Sequence, residues 1–208
     1  MALVIADISI SLDGFVTGPN PGPGNGLGDG GEALHTWAFS DDPVDGAQLA
    51  AGTARSGAVL LGRRLFDVVD GPGGWNDDVG YGAREVGKPA FVVVTSTPPA
   101  RTRLPFWEFV TTGLPDAVAR ARELADAASA AAGEPRDAVL MGGGATIGSA
   151  LAAGVVDRLQ LHLSPVVLGG GTPLFAGADG APVGPVQLVQ RASVASSTAT
   201  HVTYDVVR

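Results

Sequence analysis

The chain contains no cysteine, which excludes disulfides, thiol nucleophiles and cysteine-ligated metals. Histidine is nearly as scarce: three in 208 residues, at positions 35, 162 and 201, so far apart in sequence that no metal site is expected. Basic residues are in the minority, 13 against 21 acidic ones, for a net charge of −8. Such a balance disfavours a broad nucleic-acid or anionic-membrane surface, so any anion site must be local. No apolar run reaches membrane-spanning length. The start, Met1 to Ala6, lacks the basic residues and cleavage site of a signal peptide, and Asp7 interrupts it early, so the expected location is cytoplasmic.

Hydrophobic residues make up 45% of the chain and charged residues 16%, enough to bury a sizeable core, and the length fits a single domain over 1–208. Apolar, β-branched runs predict strands at 3–11, 58–61, 89–95, 106–111, 138–141 and 156–168. Helices are expected at 45–55, 63–69, 115–132 and 145–153, the third with proline in its first turn. Residues 186–197 and 201–207 read as an antiparallel terminal pair. The alternation predicts an α/β fold with a mixed sheet, parallel in its body and antiparallel at its C-terminal edge. Residues 18–31 are dominated by glycine, proline and asparagine, a composition that predicts a mobile loop, a lid or an insertion.

Two strand–glycine–helix junctions stand out, Gly62-Arg63-Arg64 and Gly142-Gly143-Gly144-Ala145-Thr146. Each would present unpaired N–H groups and the positive end of a helix at the carboxyl edge of the sheet, where phosphates bind. Neither is a Walker or Rossmann fingerprint, and tight structural turns explain glycines at such places equally well. Adjacent arginines at a helix start oppose the dipole, which a bound anion would relieve. The hydroxyls of Thr95 and Ser96 would serve the same anion or simply cap a turn. Trp75-Asn76-Asp77-Asp78 lies in a glycine-rich loop, where Trp75 would either stack on a ligand or pack the loop.

These segments, with Ser9-Ile10-Ser11-Leu12-Asp13-Gly14-Phe15 before them and Val156 to Phe175 after them, occur in an order and spacing that resembles the reductase domain of the riboflavin-biosynthesis deaminase/reductase and its stand-alone dihydrofolate-reductase-like relatives. The resemblance covers nearly the whole chain. It implies a dihydrofolate-reductase-like three-layer sandwich and an NADPH-dependent oxidoreductase. It places Gly62, Arg63, Arg64, Thr95 and Ser96 around the 2′-phosphate of the cofactor, and Gly142, Gly143, Gly144, Ala145, Thr146 and Ile147 along the pyrophosphate, often with a cis Gly-Gly bond. The loop from Leu12 through Thr17 would lie over the nicotinamide. Asp13 is the candidate catalytic carboxylate, for substrate orientation or proton handling, against a turn-forming role. Glu32, His35 and Trp37 are candidates for the substrate wall, against a surface helix with one aromatic in the core. Leu34 stands where folate reductases place the carboxylate that grips the pteridine, so folate is not the expected substrate. The implied reaction is hydride transfer to a small heterocyclic or sugar-linked substrate, such as a ribosylaminopyrimidine. The competing class is a non-catalytic NADPH-binding or sensing module. Relatives often form homodimers, and the C-terminal strands would supply the contact.

Overall fold

The computed structural model describes residues 1–22, 24–76 and 88–207. The apolar runs become one eight-stranded sheet. In chain order the elements are β1 (Val4–Ile10), a 3-10 helix (Gly31–Phe39), α1 (Pro43–Ala54), β2 (Ser56–Gly62), α2 (Arg63–Val69), β3 (Ala90–Val94) and β4 (Trp107–Val110). There follow α3 (Leu114–Ala132), β5 (Asp137–Gly142), α4 (Gly144–Ala152), β6 (Arg158–Leu163), β7 (Leu188–Ala195) and β8 (Thr200–Val206). The strand order is β4-β3-β2-β5-β1-β6-β8-β7. The first six of these strands run parallel, and β8 pairs antiparallel with both β6 and β7. This is the mixed sheet that the run order predicts.

Every residue of β2 is buried, as a central strand covered on both faces requires. On one face Val4, Ala6, Leu60 and Leu140 pack with Ala117, Ala121 and Ala125 of α3 and with Ile147 and Leu151 of α4. The alanines let α3 lie close to the sheet. On the other face Val59, Leu61, Phe91 and Val93 meet Phe66 and Val69 of α2, with Trp75, Trp107 and Phe109 around them. Helix ends follow their local chemistry: the Asp42 carboxylate caps α1 by accepting from the Val44 N–H, and Gly133 closes α3 at φ 71°, where a Cβ would be disfavoured.

One expectation needs correction. The strand predicted over 156–168 ends at Leu163, because Pro165 has no N–H to continue a ladder and the Val166 N–H turns back to the Ser164 carbonyl. The described residues of the glycine-proline segment 18–31 are irregular, as the composition predicts, and hydrogen-bond among themselves. Gly18 N–H donates to Leu27 at 2.7 Å, Asp29 N–H to Pro19 at 2.7 Å, and the Asn20 and Asn25 amides both donate to Asp29.

Candidate functional site

The two glycine junctions end neighbouring strands, since β2 pairs with β5. Their helices start so close together that a Cβ on Gly62 would lie 2.0 Å from Thr146 Oγ1. Gly142 and Gly143 are joined by a cis peptide bond. Gly143 is the N-cap of α4 and no side chain caps the helix. The Thr146 and Ile147 N–H groups turn back to the Gly143 carbonyl, which leaves those of Gly144 and Ala145 as the open donors of the first turn. A Cβ on Gly143 would meet nothing within 4 Å, so the approach to these donors is clear. The Ile147 side chain is fully buried in the core, so the residue faces the loop through its backbone.

Arg63 is oriented by two contacts, Nε to Asp67 at 2.8 Å and Nη1 to the Thr97 carbonyl at 2.6 Å. The second contact brings the start of α2 against the turn that follows β3, so Arg63, Thr95 and Ser96 do converge. The Thr95 hydroxyl is engaged within that turn, donating to the Thr97 carbonyl and accepting from the Thr97 N–H, which is the capping role. Arg64 and Ser96 are exposed.

The third wall is made by the loop after β1 and a glycine loop after β6 that sequence reasoning did not single out for the site. Val16 N–H donates to Thr172, Leu174 N–H to Gly14, and the Thr17 hydroxyl accepts from the Thr172 N–H while donating to its hydroxyl. Gly171 is needed there, because at φ 125° its Cβ would lie 1.9 Å from the Thr17 carbonyl. Asp13 receives the N–H groups of Leu168 and Gly169 at 3.1 and 2.7 Å. Its carboxyl is held below the ordinary carboxylate range, first by the Ser11 hydroxyl; burial opposes this, and the Gly169 and Leu168 N–H groups add to the lowering. That favours the ionised form, an acceptor that pins the glycine loop. Val16 also touches the second junction: a Cβ on Gly144 would lie 2.5 Å from its Cγ2.

The candidate substrate residues separate. Trp37 is buried; it donates to Ser9 Oγ at 2.9 Å and stacks on His162 at 4.0 Å between ring centroids, so it belongs to the core side of the 3-10 helix. Glu32 is exposed in the first turn of that helix. His35 is half-buried, with Nδ1 fully covered and lacking a partner. Burial, and secondarily His162, push its pKa down, which favours the neutral imidazole. Leu34 is fully buried. Trp75 packs against Phe91 and Trp107, the loop-packing alternative, while Asp77 and Asp78 lie outside the described residues.

The histidines, scattered in sequence, converge in space. His162 Nδ1 and His201 Nδ1 are 2.7 Å apart, with Asp7 and Asp45 at the outer nitrogens. Nothing in the sequence flags this set, since Asp45 reads as an ordinary first-turn acid of α1.

A mixed α/β sheet with uncapped helix starts gathered at the carboxyl ends of its parallel strands defines the dihydrofolate-reductase-like class. Within it, residues 2–202 match the family model described as RibD C-terminal domain, and the chain belongs to that family. No curated protein matches it in sequence. Among solved structures, a putative riboflavin biosynthesis protein from Shewanella is 21% identical with a TM-score of 0.63, all of both chains being covered. A deaminase/5-amino-6-(5-phosphoribosylamino)uracil reductase from Thermotoga maritima is 13% identical with a TM-score of 0.57, covering 99% of this chain and 57% of that one. Dihydrofolate reductase from Enterococcus faecalis complexed with NADP(H) is 15% identical with a TM-score of 0.53, covering 99% and 97%. Among the described residues, no helix is long and apolar enough to cross a membrane.

Proposed function

We propose that this protein is an NADPH-dependent reductase of a small heterocyclic or sugar-linked substrate, a ribosylaminopyrimidine being the best-supported class. The observation that carries the reading is the meeting of two helix starts, at Gly62-Arg63 and at Gly143-Gly144-Ala145, on adjacent strands. The cradle suits a dinucleotide: its open N–H donors and helix dipole favour phosphate, and the lack of a Cβ at Gly143 leaves room for close approach. Arg63, held by Asp67 and Thr97, and the exposed Arg64 and Ser96 beside it suit a phosphomonoester. The membership in the RibD family and the NADP(H) named with the Enterococcus neighbour support the same cofactor.

When bound, the reduced nicotinamide supplies the hydride. The chain's own part is orientation and shelter. The loop 12–17, stapled to the glycine loop 168–175, forms a fixed wall over the carboxyl edge, and Asp13 keeps that wall in place. Calorimetric titration with NADPH and NADH side by side tests the reading: tight binding selective for NADPH is expected, and no binding of either would overturn it. Turnover with a panel of ribosylaminopyrimidines then separates a reductase from a binding module.

We also propose that two copies associate through β7. All eight of its residues are exposed, including Leu188, Val189 and Val194, and among the described residues one of its edges carries no strand. An uncovered apolar edge strand is otherwise an aggregation hazard.

A further inference from the structure

Beneath the 3-10 helix lies a chain of four ionisable side chains from four elements. Asp7 of β1 contacts His162 Nε2 of β6 at 2.8 Å. His162 Nδ1 contacts His201 Nδ1 of β8 at 2.7 Å, and His201 Nε2 contacts Asp45 of α1 at 2.8 Å. Both imidazoles and Asp45 are buried, at 3% exposure or less. A hydrogen bond between two nitrogens or between nitrogen and carboxylate oxygen requires one proton in each gap. Three gaps therefore demand three protons. Two neutral imidazoles bring only two between ionised carboxylates, which would leave one gap with lone pairs facing. Four would set N–H against N–H at the central contact.

We propose that Asp7, His162, His201 and Asp45 form one buried proton-sharing relay, in which two imidazoles hold three protons and one positive charge between two carboxylates. The surroundings favour the charge. Trp37 stacks on His162 at 4.0 Å, an arrangement in which an aromatic face attracts a cation, and meets His201 at 5.1 Å in a T-shaped pair. Asp45 is further fixed by the hydroxyls of Ser40 and Thr198. Burial pushes its carboxyl up, but hydrogen bonds from Ser196, Ser40, Thr198 and His201 outweigh it and hold it well below the usual range. The other ionisable groups nearby are His35 of the 3-10 helix, whose neutral form burial favours, and Asp42 at the start of α1, which caps that helix and accepts from Ser197. Arg158 and Asp205, four residues along the same strands, pair with each other at 3.1 Å.

The relay ties β1, β6, β8 and α1 together under Trp37, so it is a latch for the 3-10 helix that closes only in the three-proton state. Losing or gaining one proton breaks the central contact. Imidazole ¹⁵N spectroscopy of the full chain is the test. Both Nε2 atoms should carry protons, with a single far-downfield Nδ1 proton coupled to both rings. Two unprotonated Nδ1 atoms, or no Nδ1 proton shared between the rings, would overturn the proposal. In Asp45→Asn the downfield proton should vanish and amide exchange over 31–39 should quicken at least tenfold. A purely structural Asp45 would leave that resonance in place. Should the variant not fold, the wild-type spectrum alone decides.

Discussion

Gly62 and Thr146 are in such close apposition that a Cβ at position 62 would sit 2.0 Å from the threonine Oγ1. This contact sets the spacing of α2 and α4 at the sheet edge, and with it the width of the proposed phosphate cradle. Gly62→Ala must push the two helix starts apart. We expect a loss of about 1–3 kcal/mol, seen as a drop of about 2–10 °C in thermal midpoint. Adding Thr146→Ala should recover part of it, because the nearest atom is then removed. Strictly additive losses in that double-mutant cycle would show that the contact does not limit the packing.

How much of this site could be read from the chain is itself instructive. The helices over 63–69 and 115–132 were legible because Gly62, Pro115 and Gly133 punctuate them, and the paired glycine junctions were legible because they are local motifs. The partners of Asp13 at Leu168 and Gly169, and of Asp7 at His162, are about 155 residues away, and no local pattern announces them. For Trp37 the choice between pocket wall and core is not legible for the same reason: the serine and histidine that hold it belong to β1 and β6. The segment 18–31 is legible from composition as irregular, but not that Asp29 accepts from the Asn20 and Asn25 amides within it.

Gly143 and Gly144 are neighbours with opposite surroundings, and substitutions should separate them. A Cβ on Gly143 meets open space, whereas one on Gly144 lies 2.5 Å from Val16 Cγ2. Gly143→Ala should therefore keep stability within about 0.5 kcal/mol of wild type while weakening NADPH binding by filling the approach to the cradle. Gly144→Ala should lower the thermal midpoint as well. Unchanged NADPH affinity in Gly143→Ala, measured by calorimetry, would place the cofactor elsewhere.

Arg63 has two protein contacts that fix its direction and lies beside the exposed Arg64 and Ser96. If it receives the 2′-phosphate, Arg63→Ala should weaken NADPH about 10- to 100-fold and NADH hardly at all. Asp67→Asn, which loosens the guanidinium without removing it, should give a smaller change of the same kind. Equal losses for the two cofactors would remove Arg63 from that role.

Asp13 titrates below its ordinary value in the folded protein, so its contribution to stability is present above the unfolded carboxylate pKa and is lost as pH falls through the lower folded one. Asp13→Asn should be less stable than wild type at neutral pH, and the difference should shrink as the solution is acidified into that range. Denaturant titrations of both proteins from neutral to acid pH measure it. A gap that stays constant or widens in acid would mean that the ionised carboxylate is not what holds Leu168 and Gly169.

Association through β7 makes a last, independent claim on the surface. Val189 is 53% exposed on an edge strand whose eight residues are all exposed, and a two-fold contact would place the same strand of a second copy against it. Light scattering should show a dimer for the wild type. Val189→Asp sets like charges near the axis and should shift the species to a monomer at micromolar concentration. Because Val189 lies far along the sheet order from β2 and β5, NADPH binding should survive in that monomer. A wild type that is already monomeric would remove the interface and leave the cofactor site untouched.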